Sequence, residues 1–249
     1  MRCVPCWRII SMVQNEPEKK IRHIAIIMDG NKRWAKKHHL PTLKGHSEGA
    51  ETVQKVMKAA KEFGIEYITL YAFSTENWKR SKREVEGLMS LLRFFINSNV
   101  EKINREGIRL RAVGKIEMLP DRTREVLLDA IERTKNNTEG NLILALSYGG
   151  RAEIADAAKK IASAAVAGKI KPDEIDEKLF SGYLYAPDIP DPDLLIRTSG
   201  EFRISNFLLW QISYSEIWIT DTLWPDFSKD ELKTAIDAFY SRKRRYGGR

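Results

Sequence analysis

Short apolar segments recur along the chain from residue 23 onward, and longer segments with apolar residues every three or four positions separate them. This alternation of strand-like and helical patterns is typical of an α/β fold with a parallel sheet. It predicts a single domain over residues 23–249, with an open, six-stranded, mostly parallel sheet flanked by helices. The predicted strands are residues 24–28, 67–73, 108–113, 142–147, 194–197 and 216–219.

The predicted helices differ in how much of their surface is apolar. In residues 48–63 the apolar side chains fall at spacings of three and four, which predicts a helix with one buried face that ends at Gly64. In residues 83–106 they cover more than one stripe, so this helix must be buried on more than one side. Two interpretations fit: a central core helix, or a helix with one face on the sheet and another lining an apolar cavity. The other predicted helices are residues 121–135, 151–167, 172–179 and 229–242.

The composition is that of an ordinary globular domain. The chain has 249 residues, of which 43% are hydrophobic and 31% charged, and one domain is the expectation at this length. The formal net charge is +8, but residues 1–22 carry +3 and residues 241–249 carry +5, so the body between them is neutral. A nucleic-acid-binding domain would carry its positive charge on the folded surface, where it neutralises phosphates. A nucleic-acid partner is therefore not expected.

The first 22 residues differ in character from the rest of the chain. Arg8 interrupts their apolar positions, so they lack the apolar stretch of a signal peptide. Cys3 and Cys6 form a CxxC without enough ligands for zinc, since His23 stands alone. We expect a poorly ordered N-terminal extension in a reducing compartment. No apolar run approaches the roughly 20 residues of a membrane-spanning helix, so the protein is expected to be cytoplasmic.

The first candidate site follows the first predicted strand. There Asp29 and Gly30 precede Asn31, Lys32 and Arg33. Ligands of open α/β sheets bind at the carboxyl ends of strands, and backbone N–H groups after Gly30, together with Arg33, suit a phosphate group. A carboxylate beside that anion indicates Mg²⁺ between the two. An ordinary turn is the alternative, because Asp-Gly-Asn sequences also form turns.

Two further predicted strand ends carry polar side chains. After the second strand, Ser74 and Thr75 either cap the next helix or contribute to a shared site. Near the end of the fifth, Arg197 and Arg203 bracket a Ser-Gly loop and form a second candidate anion site. Simple solvation of these arginines is the alternative. Glu216, at the start of the last strand, adds a second carboxylate.

Several common catalytic patterns are absent from the sequence. It contains no GxGxxG or GxxxxGK[ST] loop for the phosphates of a nucleotide, and no HExxH or GxSxG. His46 follows Gly45 near the first candidate site, where it suits either a helix cap or a binding role. The three strand-end segments therefore remain the candidates for chemistry.

Taken together, these segments resemble the cis-prenyltransferase family, and most closely its bacterial undecaprenyl diphosphate synthases. The similarity runs from residue 23 to residue 248 and leaves out only the N-terminal extension. It rests, in chain order, on HIAIIMDGNKRWA, KGHSEGA, GIEYITLYAFSTENWKR, YGGR, DPDLLIRTSGEFRISNFLLWQISYSE, LWPDF and RKRRYGG. Motifs of this length and order make the match specific.

The resemblance implies an enzyme that condenses isopentenyl diphosphate repeatedly onto an allylic diphosphate such as farnesyl diphosphate, each new double bond being cis. The implied product is a long-chain polyprenyl diphosphate such as undecaprenyl diphosphate, the lipid carrier precursor for cell-wall polysaccharide synthesis. Mg²⁺ is the implied cofactor, with Asp29 and Glu216 as its ligands, and Asp29 and Asn77 are the implied catalytic residues. The implied substrate-binding residues are Gly30, Asn31, Lys32, Arg33, Trp34, His46, Ser74, Thr75, Glu76, Trp78, Arg80, Arg197, Arg203, Ile204 and Ser205.

The resemblance also implies partners and an apolar tunnel. The tunnel would hold the growing tail beside the helix of residues 83–106, and two chains would form a homodimer with residues 210–218 as the candidate interface. The basic residues 242–245 would help close the isopentenyl site or touch the inner face of the cell membrane. Thr42 stands where the family commonly has an arginine for the diphosphate, so a neighbouring lysine would have to supply that charge. A non-catalytic accessory subunit is the competing function, but such subunits typically lack the Asp-Gly-Asn segment.

Overall fold

Six strands build the central sheet: β1 His23–Ile27, β2 Tyr67–Ser74, β3 Ile108–Val113, β4 Gly140–Tyr148, β5 Leu194–Arg197 and β6 Glu216–Ile219. In the computed structural model, which describes residues 20–242, they lie side by side in the order β3-β4-β2-β1-β5-β6. Each neighbouring pair is parallel. The predicted α/β fold and six-stranded sheet are confirmed, and the sheet is parallel throughout.

Helices cover both faces of the sheet. They are α1 Asn31–Lys37, α2 Thr42–Glu62, α3 Lys82–Arg105, α4 Asp121–Thr134, α5 Gly150–Val166, α6 Glu177–Ser181 and α7 Lys229–Ser241. Single 3₁₀ turns occur at Thr75–Lys79, Ile116–Met118, Pro172–Glu174 and Trp224–Asp226. Within residues 20–242, no helix combines the length and the apolar character needed to cross a bilayer.

The central strand β1 is buried on both of its faces. Ile24 and Ile26 belong to the larger core cluster, which packs under α2, α3, α4 and α7. Ala25 and Ile27 belong to a smaller cluster on the other face, together with Phe207. Parallel strands covered on both sides are continuously apolar rather than alternating, which explains why the apolar runs in the sequence located them well.

Two helices differ from their predicted extents. α2 begins at Thr42 rather than at residue 48, because its first turns are polar and are fixed by close packing on α1 rather than by an apolar period. The predicted helix at 172–179 is two short pieces. Ile175 is extended, with φ −82° and ψ 99°, and the Asp176 carboxylate then starts α6 by accepting a hydrogen bond from the backbone N–H of Leu179 at 2.7 Å.

Ile21 and Arg22, which the prediction placed in the N-terminal extension, contact the folded domain. The side chain of Ile21 is fully buried, and its backbone N–H donates to the hydroxyl of Tyr240 at 3.2 Å. The N–H of Arg22 donates to the carboxylate of Asp193 at 2.8 Å. These contacts are made by residues distant in sequence, so the local pattern could not reveal them. The rest of the predicted extension, with its two cysteines, lies outside the described residues.

Replacing Gly45 by alanine is expected to lower the free energy of unfolding by about 2 kcal/mol. The new Cβ would lie 2.1 Å from the carbonyl oxygen of Asn31, a backbone atom that can move only with α1. That strain exceeds the gain in helix propensity, about 1 kcal/mol. Urea unfolding measures the difference. Gly140→Ala is the control, since the nearest atom to its new Cβ would be the carbonyl oxygen of Glu66 at 3.8 Å. Equal unfolding free energies for the two variants would contradict the packing argument.

Candidate active site

The three polar segments identified in the sequence meet at the carboxyl-terminal edge of the sheet. β2, β1 and β5 are neighbours, and the chain leaves them at Thr75, Met28 and Thr198. In an open parallel sheet this edge is where ligands bind. The strand order thus brings together segments that are far apart in sequence.

Asp29 joins the first polar segment, which follows β1, to the third, which follows β5. Its Oδ2 lies 2.8 Å from Nη2 of Arg197, and its Oδ1 accepts a hydrogen bond from the backbone N–H of Gly30 at 2.8 Å. Its backbone carbonyl accepts from the hydroxyl of Thr198 at 2.7 Å and from the N–H of Trp224 at 3.0 Å. Asp29 is therefore fixed through both backbone and side chain. The side chain is still 32% exposed, so a ligand can reach the carboxylate.

Arg197 is the buried charge of the site, with only 4% of its side chain exposed. Its Nη1 donates to Oγ of Ser205 at 2.8 Å and to the carbonyl oxygen of Arg203. Its Nε is buried and has no hydrogen-bond partner among the described residues. A buried cation is tolerated where it is paired, and Asp29 provides the pair. Arg197 therefore holds the backbone of residues 203–205 in place relative to Asp29.

Arg33 reaches across the same edge from α1. Its Nη1 donates to the carbonyl oxygen of Ser199 at 3.0 Å. Its Nη2 lies 3.0 Å from Oε1 of Glu201 and 3.8 Å from Oδ1 of Asp29. About half of the Arg33 side chain, 49%, is exposed, so this guanidinium can still bind an anion. The turn into α1 depends on Gly30, whose φ of 106° lies in a region that L side chains rarely adopt.

The loop after β2 is held by its own side chains. The Oδ1 of Asn77 accepts a hydrogen bond from the backbone N–H of Ser74 at 3.0 Å, which is one half of a capping box. The Nε1 of Trp78 donates to Oγ of Ser147, at the end of β4, at 2.8 Å. The amide oxygen of Asn77 is thus already occupied, and Trp78 fastens the loop to the neighbouring strand.

Two cavities lie beside this edge and share part of their lining. The larger, of about 630 Å³, is lined by α2, α3 and the sheet, and we call it the apolar cavity. The smaller, of about 440 Å³, is the polar cleft. α3 contributes Leu88, Met89, Leu91, Leu92 and Phe95 to the apolar cavity. Both cavities include Met28, Asp29, Asn31, His46 and Arg80. An amphiphilic ligand fits this arrangement, with its charged end among the shared polar groups and its chain in the apolar cavity.

The helix predicted over residues 83–106 therefore fits the second of its two interpretations. Met89, Phe95 and Ile96 of α3 are buried in the larger core cluster, while two of these three, with three leucines, line the apolar cavity. Phe94 points away from both and is 64% exposed. The wide apolar surface of this helix thus serves core and cavity together.

His46 is a neutral imidazole at physiological pH. Burial is the main cause that lowers its pKa to about 4, and the Arg80 guanidinium lowers it further, while Glu84 opposes the shift. Its Nε2 is buried without a hydrogen-bond partner among residues 20–242, and the same holds for Oδ1 of Asn31. Both residues line the apolar cavity and the polar cleft. Unpaired buried polar atoms beside a cavity are atoms that a ligand can satisfy.

Most of the predicted site residues line one of the two cavities. Asp29, Asn31, His46 and Arg80 line both; Gly30, Lys32 and Arg33 line the polar cleft; and Ser74, Glu76, Asn77, Arg197 and Ser205 line the apolar cavity. Trp34, Thr75, Trp78, Arg203 and Ile204 are outside both linings. Of these, Trp34 donates to Oδ1 of Asp226 at 2.7 Å, and Ile204 packs against the smaller core cluster.

Glu216 is not brought to Asp29 within this chain. Glu216 opens β6 and is in register with Leu194, which is in register with Ile24 at the start of β1. Asp29 follows the end of β1, so the two carboxylates lie at opposite edges of the sheet, separated by roughly 10 Å or more of strand. The Glu216 carboxylate instead lies 2.6 Å from Nη1 of Arg242. A single chain therefore does not place both predicted ligands around one metal ion.

The sequence interpretation missed two residues that fasten the third segment. The hydroxyl of Tyr71 donates to the carbonyl oxygen of Ser205 at 3.2 Å, and burial raises the pKa of this phenol, so that it keeps its proton. Asn206 lines the apolar cavity and donates to Glu76. Both residues lie within the motifs that carry the family resemblance, but Tyr71 is one of several aromatic residues in a strand, and nothing in the sequence distinguishes Asn206 from its polar neighbours.

Asp29 is the candidate ligand for a divalent cation. Within residues 20–242, no group of three or more His, Cys, Asp or Glu side chains is placed to hold a metal ion. Mg²⁺ commonly uses one or two carboxylates and takes its other ligands from water and substrate phosphates. A partly exposed carboxylate in the polar cleft fits that requirement.

The known proteins to which this chain is similar are prenyltransferases and prenyl diphosphate synthases. The Prenyltransf family model, described as "Putative undecaprenyl diphosphate synthase", matches residues 27–247. An isoprenyl transferase from Heliobacterium mobile is 52% identical over 235 residues, 94% of this chain and 90% of that protein. A ditrans,polycis-undecaprenyl-diphosphate synthase from Micrococcus luteus, (2E,6E)-farnesyl-diphosphate specific, is 49% identical over 91% of each chain. The crystal structure of lavandulyl diphosphate synthase from Lavandula x intermedia, in complex with dimethylallyl diphosphate, matches with a TM-score of 0.90 at 36% identity, over 92% of this chain and 99% of that one.

The environment of His46 predicts a pH dependence of stability. Because its pKa falls from 6.5 unfolded to about 4 folded, the folded state resists protonation, and stability present above pH 6.5 is lost as the pH falls toward 4. Between pH 7 and pH 5 this should remove about 1 to 2 kcal/mol of unfolding free energy. In His46→Gln the loss should be smaller by that amount, as measured by urea unfolding at both pH values. His38→Gln, at an exposed position, is the control; a wild-type pH dependence in His46→Gln would contradict the assignment.

Proposed function

The chain belongs to the undecaprenyl diphosphate synthase family of prenyltransferases, and we propose that it lengthens an allylic diphosphate by repeated condensation with isopentenyl diphosphate, with a cis double bond at each step. The observation that carries this proposal is the 2.8 Å pair of Asp29 and Arg197, which joins two candidate anion sites beside an apolar cavity of about 630 Å³. A reaction between two diphosphates that extends an apolar chain needs that combination. Farnesyl diphosphate is the proposed primer, because the Micrococcus luteus relative is named as specific for it.

The polar cleft is the proposed site of the allylic diphosphate. Gly30, Asn31, Lys32 and Arg33 line it, and a guanidinium with neighbouring N–H groups suits phosphate oxygens. As the allylic carbon–oxygen bond breaks, the departing diphosphate gains negative charge. Donors already in position stabilise that charge without reorganising. His46, as a neutral imidazole, is proposed to contribute one N–H to this set.

The third segment is the proposed site of isopentenyl diphosphate. Arg197 and Ser205 line the apolar cavity, and the exposed guanidinium of Arg203 pairs with Glu201, a partner that a diphosphate can replace. Ile204 lies between Arg203 and Ser205 in the sequence, and its side chain packs against the smaller core cluster, which anchors the loop. From this site the double bond of isopentenyl diphosphate attacks the allylic carbon, a carbon–carbon bond forms, and one proton is lost.

Asn77 is proposed to position a group rather than to accept that proton. Its Oδ1 is occupied by the N–H of Ser74, and an amide is a poor base in any case. The departing diphosphate is the proposed proton acceptor. With Asn77, the residues Ser74, Thr75, Glu76, Trp78 and Arg80 are proposed to complete the wall of the site on the side of β2.

Mg²⁺ is the proposed cofactor, with Asp29 as the ligand that this chain supplies. When bound, the ion would neutralise negative charge on the diphosphate leaving group. The chain's own contribution is to keep the Asp29 carboxylate fixed by Arg197 and by the N–H of Gly30 while leaving it 32% exposed. Glu216 is proposed as a further ligand only on the strength of the family resemblance, because in one chain it pairs with Arg242.

The apolar cavity is proposed to receive the growing tail, as the tunnel predicted from the sequence. Side chains from α2, α3 and the sheet line it, and the lining residues of α3 are apolar. A volume of about 630 Å³ is within the range of ligand-binding cavities. A long-chain polyprenyl diphosphate such as undecaprenyl diphosphate is the proposed product, and its use as a lipid carrier would bring it to the membrane. The basic residues 242–245 are proposed to touch that surface or to help close the isopentenyl site. Of these, Arg242 pairs with Glu216, and residues 243–245 lie outside the described residues.

A homodimer is proposed on the basis of the family resemblance, with residues 210–218 in the interface. Two observations support the choice of segment: Tyr214 is 82% exposed and Ile217 is 42% exposed. Both side chains are large and carry apolar surface that a second chain would bury. Light scattering should give a mass twice that of one chain. A Tyr214→Glu variant should shift the equilibrium toward the monomer at micromolar concentration. A wild-type protein that stays monomeric would contradict the proposal.

Replacement of Asp29 by alanine is expected to lower polyprenyl formation by at least about a hundredfold, because it removes the metal ligand and leaves Arg197 without its counter-charge. The assay measures extractable product from farnesyl diphosphate, labelled isopentenyl diphosphate and Mg²⁺. Asp129→Ala, a surface change on α4, should keep wild-type activity. Absence of product from the wild type, or equal product from Asp29→Ala, would reject the proposed function.

A further inference from the structure

Asn206 ties together three separate parts of the chain. Its Nδ2 donates to Oε1 of Glu76, in the loop after β2, at 2.9 Å. Its Oδ1 accepts from the backbone N–H of Arg151 at 2.9 Å, and its carbonyl oxygen accepts from the N–H of Gly150 at 2.7 Å. Both polar ends of the side chain are thus used within the protein. The residue before it in the chain is Ser205, a proposed ligand of isopentenyl diphosphate.

The backbone around Asn206 is held in an unfavourable conformation. Ser205, Asn206 and Leu208 have φ values of 47°, 64° and 45°, in the left-handed region that non-glycine residues seldom occupy. Such a residue is strained and persists only where surrounding contacts enforce it. The contacts on either side of Asn206 are therefore what hold the binding loop in its shape.

The segment of residues 148–151 leaves room for Asn206 because it contains two glycines, Gly149 and Gly150. A Cβ on Gly149 would lie 2.8 Å from Nδ2 of Asn206 and 2.7 Å from Oγ1 of Thr75. A Cβ on Gly150 would lie 2.7 Å from Cγ of Leu209. Two successive glycines thus allow Asn206 and Thr75 to approach the start of α5. The YGGR motif, which lies outside both cavity linings, acquires a role as the support of the binding loop.

Glu76 is ionised in this arrangement. Burial would raise the pKa of its carboxyl group, but hydrogen bonds, the one from Asn206 first among them, hold that pKa below its usual value. An ionised acceptor strengthens the bond that the Asn206 amide donates. The link between the loop after β2 and the third segment is therefore a charge-assisted hydrogen bond.

We propose that Asn206 is a positioning residue, which fixes the isopentenyl diphosphate-binding segment, residues 203–205, against the loop after β2 by its bonds to Glu76 and the start of α5. The inference rests on the proposed function, because it concerns one of its two substrates. Condensation requires the reacting carbons to be held about 3–3.5 Å apart and aligned, and a displacement of 1 Å costs about a hundredfold in rate. A side chain that sets the separation of two binding segments acts on that distance without touching the reacting atoms.

The test is a four-member cycle of wild type, Asn206→Asp, Glu76→Gln and the double variant. In Asn206→Asp the carboxylate still accepts from Arg151 but faces the Glu76 carboxylate, so the link becomes repulsive. The Kd for isopentenyl diphosphate, measured by calorimetry, is expected to rise about tenfold, and the Kd for farnesyl diphosphate less than twofold. In the Glu76→Gln background the glutamine amide can donate to the new carboxylate at position 206, so the same substitution should raise the Kd for isopentenyl diphosphate less than about threefold.

Gly149→Ala gives a second variant that leaves Asn206 and Glu76 in place. Its Cβ should displace the Asn206 amide and produce the same selective loss of isopentenyl diphosphate binding. Thermal unfolding of every variant shows whether it is folded.

Three outcomes would overturn the positioning role: unchanged binding in Asn206→Asp, an equal loss of binding in both backgrounds, or an equal loss for both substrates. A wild type that binds neither diphosphate and forms no polyprenyl product would instead reject the proposed function. A wild type that elongates, with additive effects in the cycle, rejects the role of Asn206 alone.

Discussion

The rest of the site depends on the ion pair between Asp29 and Arg197. The side chain of Arg197 is only 4% exposed. Removing the partner of a buried charge costs about 3–5 kcal/mol of stability. Its Nη1 donates to the hydroxyl of Ser205 and to the carbonyl oxygen of Arg203. One guanidinium thus sets the position of the carboxylate after β1 and of the loop after β5, so that the two candidate anion sites cannot move independently. Asn206 and Tyr71 connect β2 and the loop after it to this pair, because both bond to the same segment.

The division of the site into a polar cleft and an apolar cavity follows from the strand order. The carboxyl ends of β2, β1 and β5 supply charged and polar groups, while α2 and α3 cover the adjacent face of the sheet with apolar side chains. The formal net charge of +8 contributes little here, because it resides in the two termini and the body is neutral. Attraction for diphosphates has to come from a few arginines held in place, such as Arg33 and Arg197, rather than from the field of the whole molecule.

The parts of the structure that are determined locally were predictable from the sequence. The six strands were located to within two residues at each end, because buried parallel strands are continuous apolar runs, and the grouping of their polar ends into one site followed from the fold class. The start of α2 was not predictable, since it rests on packing of Gly45 against α1. Glu216 was predicted to begin a strand and also to share a metal ion with Asp29, which follows the end of a strand. In a parallel sheet the starts and the ends of strands lie at opposite edges, so one chain does not bring the two carboxylates together. The role of Asn206 depends on contacts with Glu76 and Arg151, and no local pattern indicates them.

The loop of residues 203–208 also bears on how the protein folds. Its non-glycine residues in the left-handed region cannot be favoured by the local chain, and the bonds that impose this shape span 130 residues to Glu76 and 168 residues between Asp29 and Arg197. We expect contacts this distant to form only after β1, β2 and β5 have assembled, since the entropy of closing such long loops must first be overcome. The candidate active site is therefore expected to be completed late in folding. A nascent chain would lack this candidate site until β5 and the loop after it have been synthesised.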